Sequence, residues 1–289
     1  MSKRLGIGTV QFGQPYGIAN HGKRVSYNEA KTIIAHAWDQ GIDTIDTAIS
    51  YGESEECLGD IGVAGWKIIS KLPEIPSSCI DIGGWINDAV VASLRKLKIP
   101  CLYGLLLHRS QQLLLEQGGE IYLALLDLKK RGLVKKIGIS VYGMDELDAV
   151  CSVYHFDIIQ APFNIFDRRL VSSGWLPRLK KLGIEVHIRS VFLQGLLLME
   201  RSKLPMQFAR WRILWQQLEY WLLENQITPL HACMNFVLSY PEIDRILVGV
   251  CSLKQLQEIL FIKISALSFP SALISDDLDL INPSYWSIS

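Results

Sequence analysis

The chain has 289 residues, 49% of them hydrophobic, and its 29 Lys and Arg balance 29 Asp and Glu to a formal net charge of zero. That length suits one large barrel or two smaller domains, and that composition supports a substantial buried core. Zero net charge gives no electrostatic footprint for nucleic acid, and the most apolar late stretch, 256–269, is too short for a membrane span and carries Lys263.

Short apolar runs alternate with helical patterns along the whole chain, the signature of βαβ units. Met1-Ser2-Lys3-Arg4 leads straight into the first apolar run, so no signal peptide is expected. Strands are predicted at 5–10, 44–46, 68–71, 102–108, 137–140, 158–161, 185–190 and 245–250. Ser26 with Glu29 reads as a capping box opening a helix that runs to about Gln40. Further helices are predicted at 80–97, 121–130, 145–153, 176–182, 230–239 and 254–260. Gly41, Gly132 and Gly183 fall just past helix ends, where a C-cap favours positive φ. Eight strands with their helices account for residues 1–289 as a single (β/α)₈ TIM barrel domain, with no linker rich in Pro, Gly or Ser. The alternative, an open doubly wound sheet, wants a G-x-G-x-x-G turn after its first strand. Gly6-Ile7-Gly8-Thr9-Val10-Gln11 supplies only the first two glycines.

One segment breaks the alternation. Residues 206–226 predict an extra helix between strands 7 and 8, with Phe208, Trp211, Trp215, Leu218 and Leu222 on one face. Core packing is the plainer reading of that stripe, and lining a pocket above the barrel is the other. The six cysteines, Cys57, Cys79, Cys101, Cys151, Cys233 and Cys251, are scattered without a C-x-x-C or metal-ligand spacing. They read as reduced, mostly buried thiols of a cytoplasmic protein, and no metal site is expected.

Four titratable residues stand at or just past the ends of successive early strands: Asp46, Tyr51, Lys71 and His108. Each alone has a plain reading: Asp46 as a turn cap, Lys71 as a solvated strand end, His108 as a satisfied polar group. Together the pattern is different, because strand C-termini of a parallel barrel converge on one face. A phenol, an ammonium, a carboxylate and an imidazole gathered there make a proton-transfer site.

These residues sit in longer motifs. Leu5-Gly6-Ile7-Gly8-Thr9 is followed by Gly41-Ile42-Asp43-Thr44-Ile45-Asp46-Thr47-Ala48, then Tyr51-Gly52 with Ser54-Glu55 and Leu58-Gly59. Ser93-Leu94-Arg95-Lys96-Leu97 precedes His108, Gly132-Leu133-Val134-Lys135-Lys136-Ile137-Gly138-Ile139-Ser140 follows, and Gln160 precedes Asn164. Over about its whole length the chain resembles the aldo-keto reductase family. The resemblance implies a (β/α)₈ barrel, NADPH as the usual cofactor, and hydride transfer from the nicotinamide to an aldehyde or ketone. It makes Tyr51 the general acid, Asp46 the residue that orients Lys71, and His108 a hydrogen-bond donor to the carbonyl oxygen. A free phenol titrates near ~10 and a neighbouring ammonium favours phenolate, so Lys71 is expected to lower the Tyr51 pKa.

The resemblance also implies a cofactor set. Thr9 closes the first-strand motif. Ser140 and Gln160 would hold the nicotinamide carboxamide, although Val141 stands where the family usually has Asn. Arg189 stands where a Tyr commonly stacks on the ring. Ser190 through Gly195, with Phe192 between, would wrap the pyrophosphate with backbone N–H groups. Gly249, Val250 and Ser252 lead into a helix N-terminus suited to an anion. Gln255 and Glu258 would meet the adenosine end. NADPH-preferring relatives commonly carry a basic residue near Gly249 and an Arg near Gln255; neither is present, and Lys254 is the nearest substitute. NADPH is therefore the family default, with NAD left open. The partner implied is a small-molecule carbonyl compound, contacted by Gln11, Phe12, Tyr16 and Arg109, a mixture suited to a hydroxylated substrate such as a sugar. The alternative from another class is a nicotinamide-binding regulatory or sensor subunit. The thin adenosine clamp favours that reading, and the intact tetrad favours the enzyme.

Overall fold

A computed structural model describes residues 1–20 and 23–286. The apolar runs form eight parallel strands: β1 (Leu5–Gly8), β2 (Thr44–Asp46), β3 (Lys67–Leu72), β4 (Leu102–Leu107), β5 (Val134–Ser140), β6 (Ile158–Pro162), β7 (Glu185–Arg189) and β8 (Arg245–Gly249). Each pairs with its sequence neighbour, and β8 returns to β1 to close the barrel. Most strand residues are buried, as expected where helices cover the outside and side chains fill the inside. Ile69, Leu106 and Ile158 form a small apolar cluster apart from the main core between barrel and helices.

The helices fall between strands largely as the sequence predicts, among them Tyr27–Asp39, Ile82–Leu97, Gly118–Lys130 and Pro229–Leu238. Gly41, Gly132 and Gly183 take φ of 80°, 75° and 70° after their helices. The Ser26 capping box closes only by half. The Ser26 hydroxyl accepts from the Glu29 amide at 3.3 Å, but the Glu29 carboxylate accepts instead from the Leu253 amide at 2.6 Å.

Three departures have physical reasons. β5 begins at Val134 rather than Ile137, because Lys135 and Lys136 disguise its first turn as a loop; the Lys136 ammonium is tied to Glu185 on β7. A helix over Ser54–Ile61 is not among those predicted; it is short, and its Glu55, charged by sequence, is 2% exposed and accepts from Ser70 and Ser93, each at 2.7 Å. The extra segment divides into a 3₁₀ stretch, Met206–Trp211, and a helix, Arg212–Glu224. Its aromatic stripe packs: Trp215 lies 5.1 Å from Phe166, and Phe208 stands edge-on to Trp286 at 4.9 Å. None of its stripe residues lines the cavity above the barrel.

Candidate active site

The C-terminal ends of the strands surround a cavity of about 940 Å³. Asp46, Tyr51, Lys71 and His108 all line it. Lys71 is 1% exposed; its ammonium lies 2.5 Å from Asp46 Oδ1 and donates to the Thr47 carbonyl at 3.0 Å. Gln160 Nε2 donates to the other Asp46 oxygen at 2.7 Å. One carboxylate thus orients both the ammonium and the amide. Burial lowers the Lys71 pKa, and the charge of Asp46 opposes that fall.

The Lys71 ammonium is 5.1 Å from the centre of the Tyr51 ring, and His108 meets that ring edge-on at 5.9 Å. The Tyr51 phenol is pushed up, first by burial and next by the Asp46 charge, with Arg189 opposing. This corrects the expectation that Lys71 lowers it. With Asp46 in contact, the phenol faces a compensated ion pair rather than a bare ammonium. The imidazole of His108 is driven down to about 3 by burial and then by Lys71, Arg189 and Arg109, so it is neutral at ordinary pH. Ser50 Oγ lies 3.4 Å from its Nδ1; with the hydroxyl donating, Nε2 carries the proton.

The expected cofactor residues Thr9, Ser140, Gln160, Arg189, Ser190, Phe192, Gly195, Gly249, Val250, Gln255 and Glu258 line the same cavity. Ser252 does not; its hydroxyl caps the Leu253–Leu260 helix by accepting from the Gln255 amide at 3.3 Å. The Thr9 hydroxyl is used internally, donating to the Asp46 carbonyl at 3.0 Å. Arg189 Nη2 donates to the Val141 carbonyl at 2.9 Å, and its guanidinium lies 4.4 Å from the centre of the Tyr142 ring. The loop after β7 holds Ser190, Leu193, Gln194 and Gly195 at φ of 61°, 49°, 54° and 88°. Such left-handed backbone gathers at functional loops. Among the described residues, the Val191 and Phe192 amides donate to no protein acceptor, and Gln194 Oε1 is buried without a partner. Free amides beside the Ser190 hydroxyl fit a pyrophosphate.

The helix N-terminus expected to hold an anion is partly capped from within, the Ser252 and Lys254 amides donating to no protein acceptor among the described residues. Gln255 Oε1 accepts from the Cys251 amide at 2.7 Å, and Glu29 takes the Leu253 amide. Of the expected substrate contacts, Gln11 and Tyr16 line the cavity, whereas Phe12 and Arg109 do not. Gln11 is occupied, donating to the Gly8 and Val250 carbonyls at 3.1 and 2.9 Å. Sequence reasoning missed Tyr142, which lines the cavity; the period of two from Ser140 would have placed it on the same face. Among the described residues no group of three or more His, Cys, Asp and Glu is placed to hold a metal, and no helix is long and apolar enough to cross a membrane.

The model of the aldo/keto reductase family matches residues 4–270. An aldo-keto reductase of Gibberella moniliformis is 30% identical over 179 residues, 57% of this chain and 52% of that protein. The aldo-keto reductase YhdN of Bacillus subtilis is 27% identical over 215 residues, 68% of this chain and 60% of the relative. The matches thus span between about half and three-fifths of these relatives. A holo aldo-keto reductase from Bacillus halodurans superposes with a TM-score of 0.72 at 20% identity, covering 92% of this chain and 88% of that one, a likeness of fold.

Proposed function

The chain belongs to the aldo/keto reductase family, and on that premise we propose that it reduces a small-molecule aldehyde or ketone to an alcohol with a reduced nicotinamide dinucleotide. The observation that carries this reading is the buried Lys71–Asp46 pair set under the Tyr51 ring with a neutral His108 at the ring's edge. A buried ion pair is a costly arrangement for a fold to keep, and here it touches the wall of the main cavity.

A reduced nicotinamide, when bound, supplies the hydride. The protein supplies the rest. Tyr51 holds its proton across the working pH range and delivers it to the carbonyl oxygen as negative charge develops there. The Lys71 ammonium then faces the phenolate left behind. His108 Nε2–H donates to the same carbonyl oxygen and aligns it. Ser140 and Gln160, bonded to each other at 3.3 Å, offer the amide-recognising edge. Gln194, Tyr16 and Tyr142 give the wall a polar and aromatic character that suits a hydroxylated substrate such as a sugar.

The resemblance implies NADPH. The nicotinamide has Ser140 and Gln160 to rest on and the pyrophosphate has the loop amides, whereas among the described residues no unpaired Lys or Arg lines the wall near Gln255 and Glu258 for a 2′-phosphate.

The test is a panel of aldehydes, ketones and sugars assayed with NADH and NADPH, with Tyr51→Phe beside the wild type. Loss of the phenol proton should cost ~10²–10⁴-fold in turnover while cofactor affinity changes little. A variant that keeps most of its rate on the best carbonyl would remove Tyr51 from the role.

A further inference from the structure

We propose that the adenosine end of the cavity selects NADH and rejects the 2′-phosphate of NADPH, and that Glu29 sets this preference. The inference rests on the nicotinamide reading above. With the nicotinamide at Tyr51 and His108, a dinucleotide must lay its adenosine half along the far wall. That wall is built from Gly249, Val250, Cys251, Gln255, Glu258 and Ile259.

A phosphate at that wall would need either free N–H groups at the start of the Leu253–Leu260 helix or a cation. Three of those N–H groups are taken, while the Ser252 and Lys254 amides donate to no protein acceptor among the described residues. Cys251 N–H donates to Gln255 Oε1 at 2.7 Å, Leu253 N–H to Glu29 Oε1 at 2.6 Å, and Gln255 N–H to Ser252 Oγ at 3.3 Å. The Glu29 carboxylate is itself an anion seated at the positive end of the helix, where it compensates the dipole that a phosphate would use. It reaches there from the Tyr27–Asp39 helix, which packs against the Leu253–Leu260 helix.

Cations are equally scarce. Among the described residues, the Lys and Arg that line the cavity are Lys71, Arg189 and Lys203. Lys71 and Arg189 belong to the catalytic end, and Lys203 pairs with Glu200 at 2.8 Å. Lys254 lies 4.0 Å from Glu258 and does not line the cavity. A 2′-phosphate at this wall would therefore meet the Glu258 carboxylate, with Glu29 bonded to the Leu253 amide and not itself lining the cavity, and, away from the catalytic end, no described lining Lys or Arg other than the paired Lys203. A ribose 2′-hydroxyl is a donor that a carboxylate can accept. One electrostatic arrangement repels NADPH and accommodates NADH.

The experiment measures dissociation constants by calorimetry for NADH and NADPH, and for 5′-AMP and 2′,5′-ADP, which lack the nicotinamide. Wild type should bind NADH and 5′-AMP at least about tenfold more tightly than their 2′-phosphorylated counterparts. Glu29→Gln keeps an acceptor for the Leu253 amide and removes the charge. It should narrow the ratio about fivefold, mainly by a gain for the phosphorylated ligands. Cys251→Lys, which places a cation at the wall without touching Glu29, should narrow it as well and guards against a Glu29 variant that misfolds. Equal affinity for the two dinucleotides in the wild type, an unchanged ratio in Glu29→Gln, or NADPH binding lost selectively in Lys203→Gln would each overturn the inference while leaving the nicotinamide reading intact. Failure of both dinucleotides to bind would overturn that reading and this inference together.

Discussion

His108 shows how the site converts burial into chemistry. Its folded pKa of about 3 lies well below the 6.5 of an unhindered imidazole, through burial first and then the positive charges of Lys71, Arg189 and Arg109. The unfolded chain therefore binds a proton between those two values that the folded chain refuses. Stability linked to His108 is complete above about pH 6.5 and is lost as pH falls towards 3, at ~1.4 kcal/mol per unit. Urea midpoints at pH 6.5 and 5 should show this: the wild type loses about 2 kcal/mol more than His108→Asn over that interval. Equal losses would place the imidazole in water rather than in the site. Asp46, Tyr51, Lys71 and His108 were legible in the sequence because each stands at or just past a strand end, a position the apolar runs mark. Glu29 was not legible, because its partner Leu253 lies 224 residues away. Its local signal, a capping box, pointed to a bond that the carboxylate does not make.

Elements hold these residues in register through close backbone approaches. The turn Val10–Gly13 after β1 packs directly on the segment that carries Tyr51. A Cβ on Gly13 would stand 1.7 Å from the Tyr51 carbonyl oxygen and 2.4 Å from the Ser54 nitrogen. Both are backbone atoms, so the Tyr51 segment itself must move. Gly13→Ala should then cost about 10²-fold in turnover through a misplaced phenol, with a smaller loss in cofactor affinity. Steady-state rates beside a cofactor titration separate the two; a turnover near wild type would show the segment to be compliant. At this scale the sequence was legible wherever burial on both faces left a continuous apolar run, as in β2, found at its observed bounds. It misled where a charged residue is held by protein partners, as with the part-buried Lys136 in β5 and the buried Glu55 in the Ser54–Ile61 helix, since hydropathy cannot tell a paired charge from a solvated one.

Across the whole molecule, the barrel separates its chemistry from its anchoring. The C-terminal strand ends carry the cavity, and the apolar layer of Ile69, Leu106 and Ile158 lies below it. Beneath that layer, Glu185 accepts from the Tyr103 hydroxyl at 2.9 Å, from Lys136 Nζ at 2.5 Å and from His187 Nε2 at 2.9 Å, tying β4, β5 and β7 together. Burial pushes the Glu185 carboxyl up, but the hydrogen bonds and charges of His187 and Lys136 outweigh it and hold the group well below the usual carboxylate range. Its contribution to stability is present above the unfolded pKa, near ~4.3, and is lost as pH falls through the lower folded value. Glu185→Gln keeps the shape but removes the charge that His187 and Lys136 face, and should lower stability by about 1–3 kcal/mol at pH 7. No residue of that network lines the cavity at the C-terminal strand ends, so turnover at a temperature where the variant is folded should stay within about twofold of wild type. A large fall in turnover without a fall in stability would mean that the two ends are coupled through the barrel interior. The route for such coupling would be β7, which carries Glu185 at one end and Arg189 at the other.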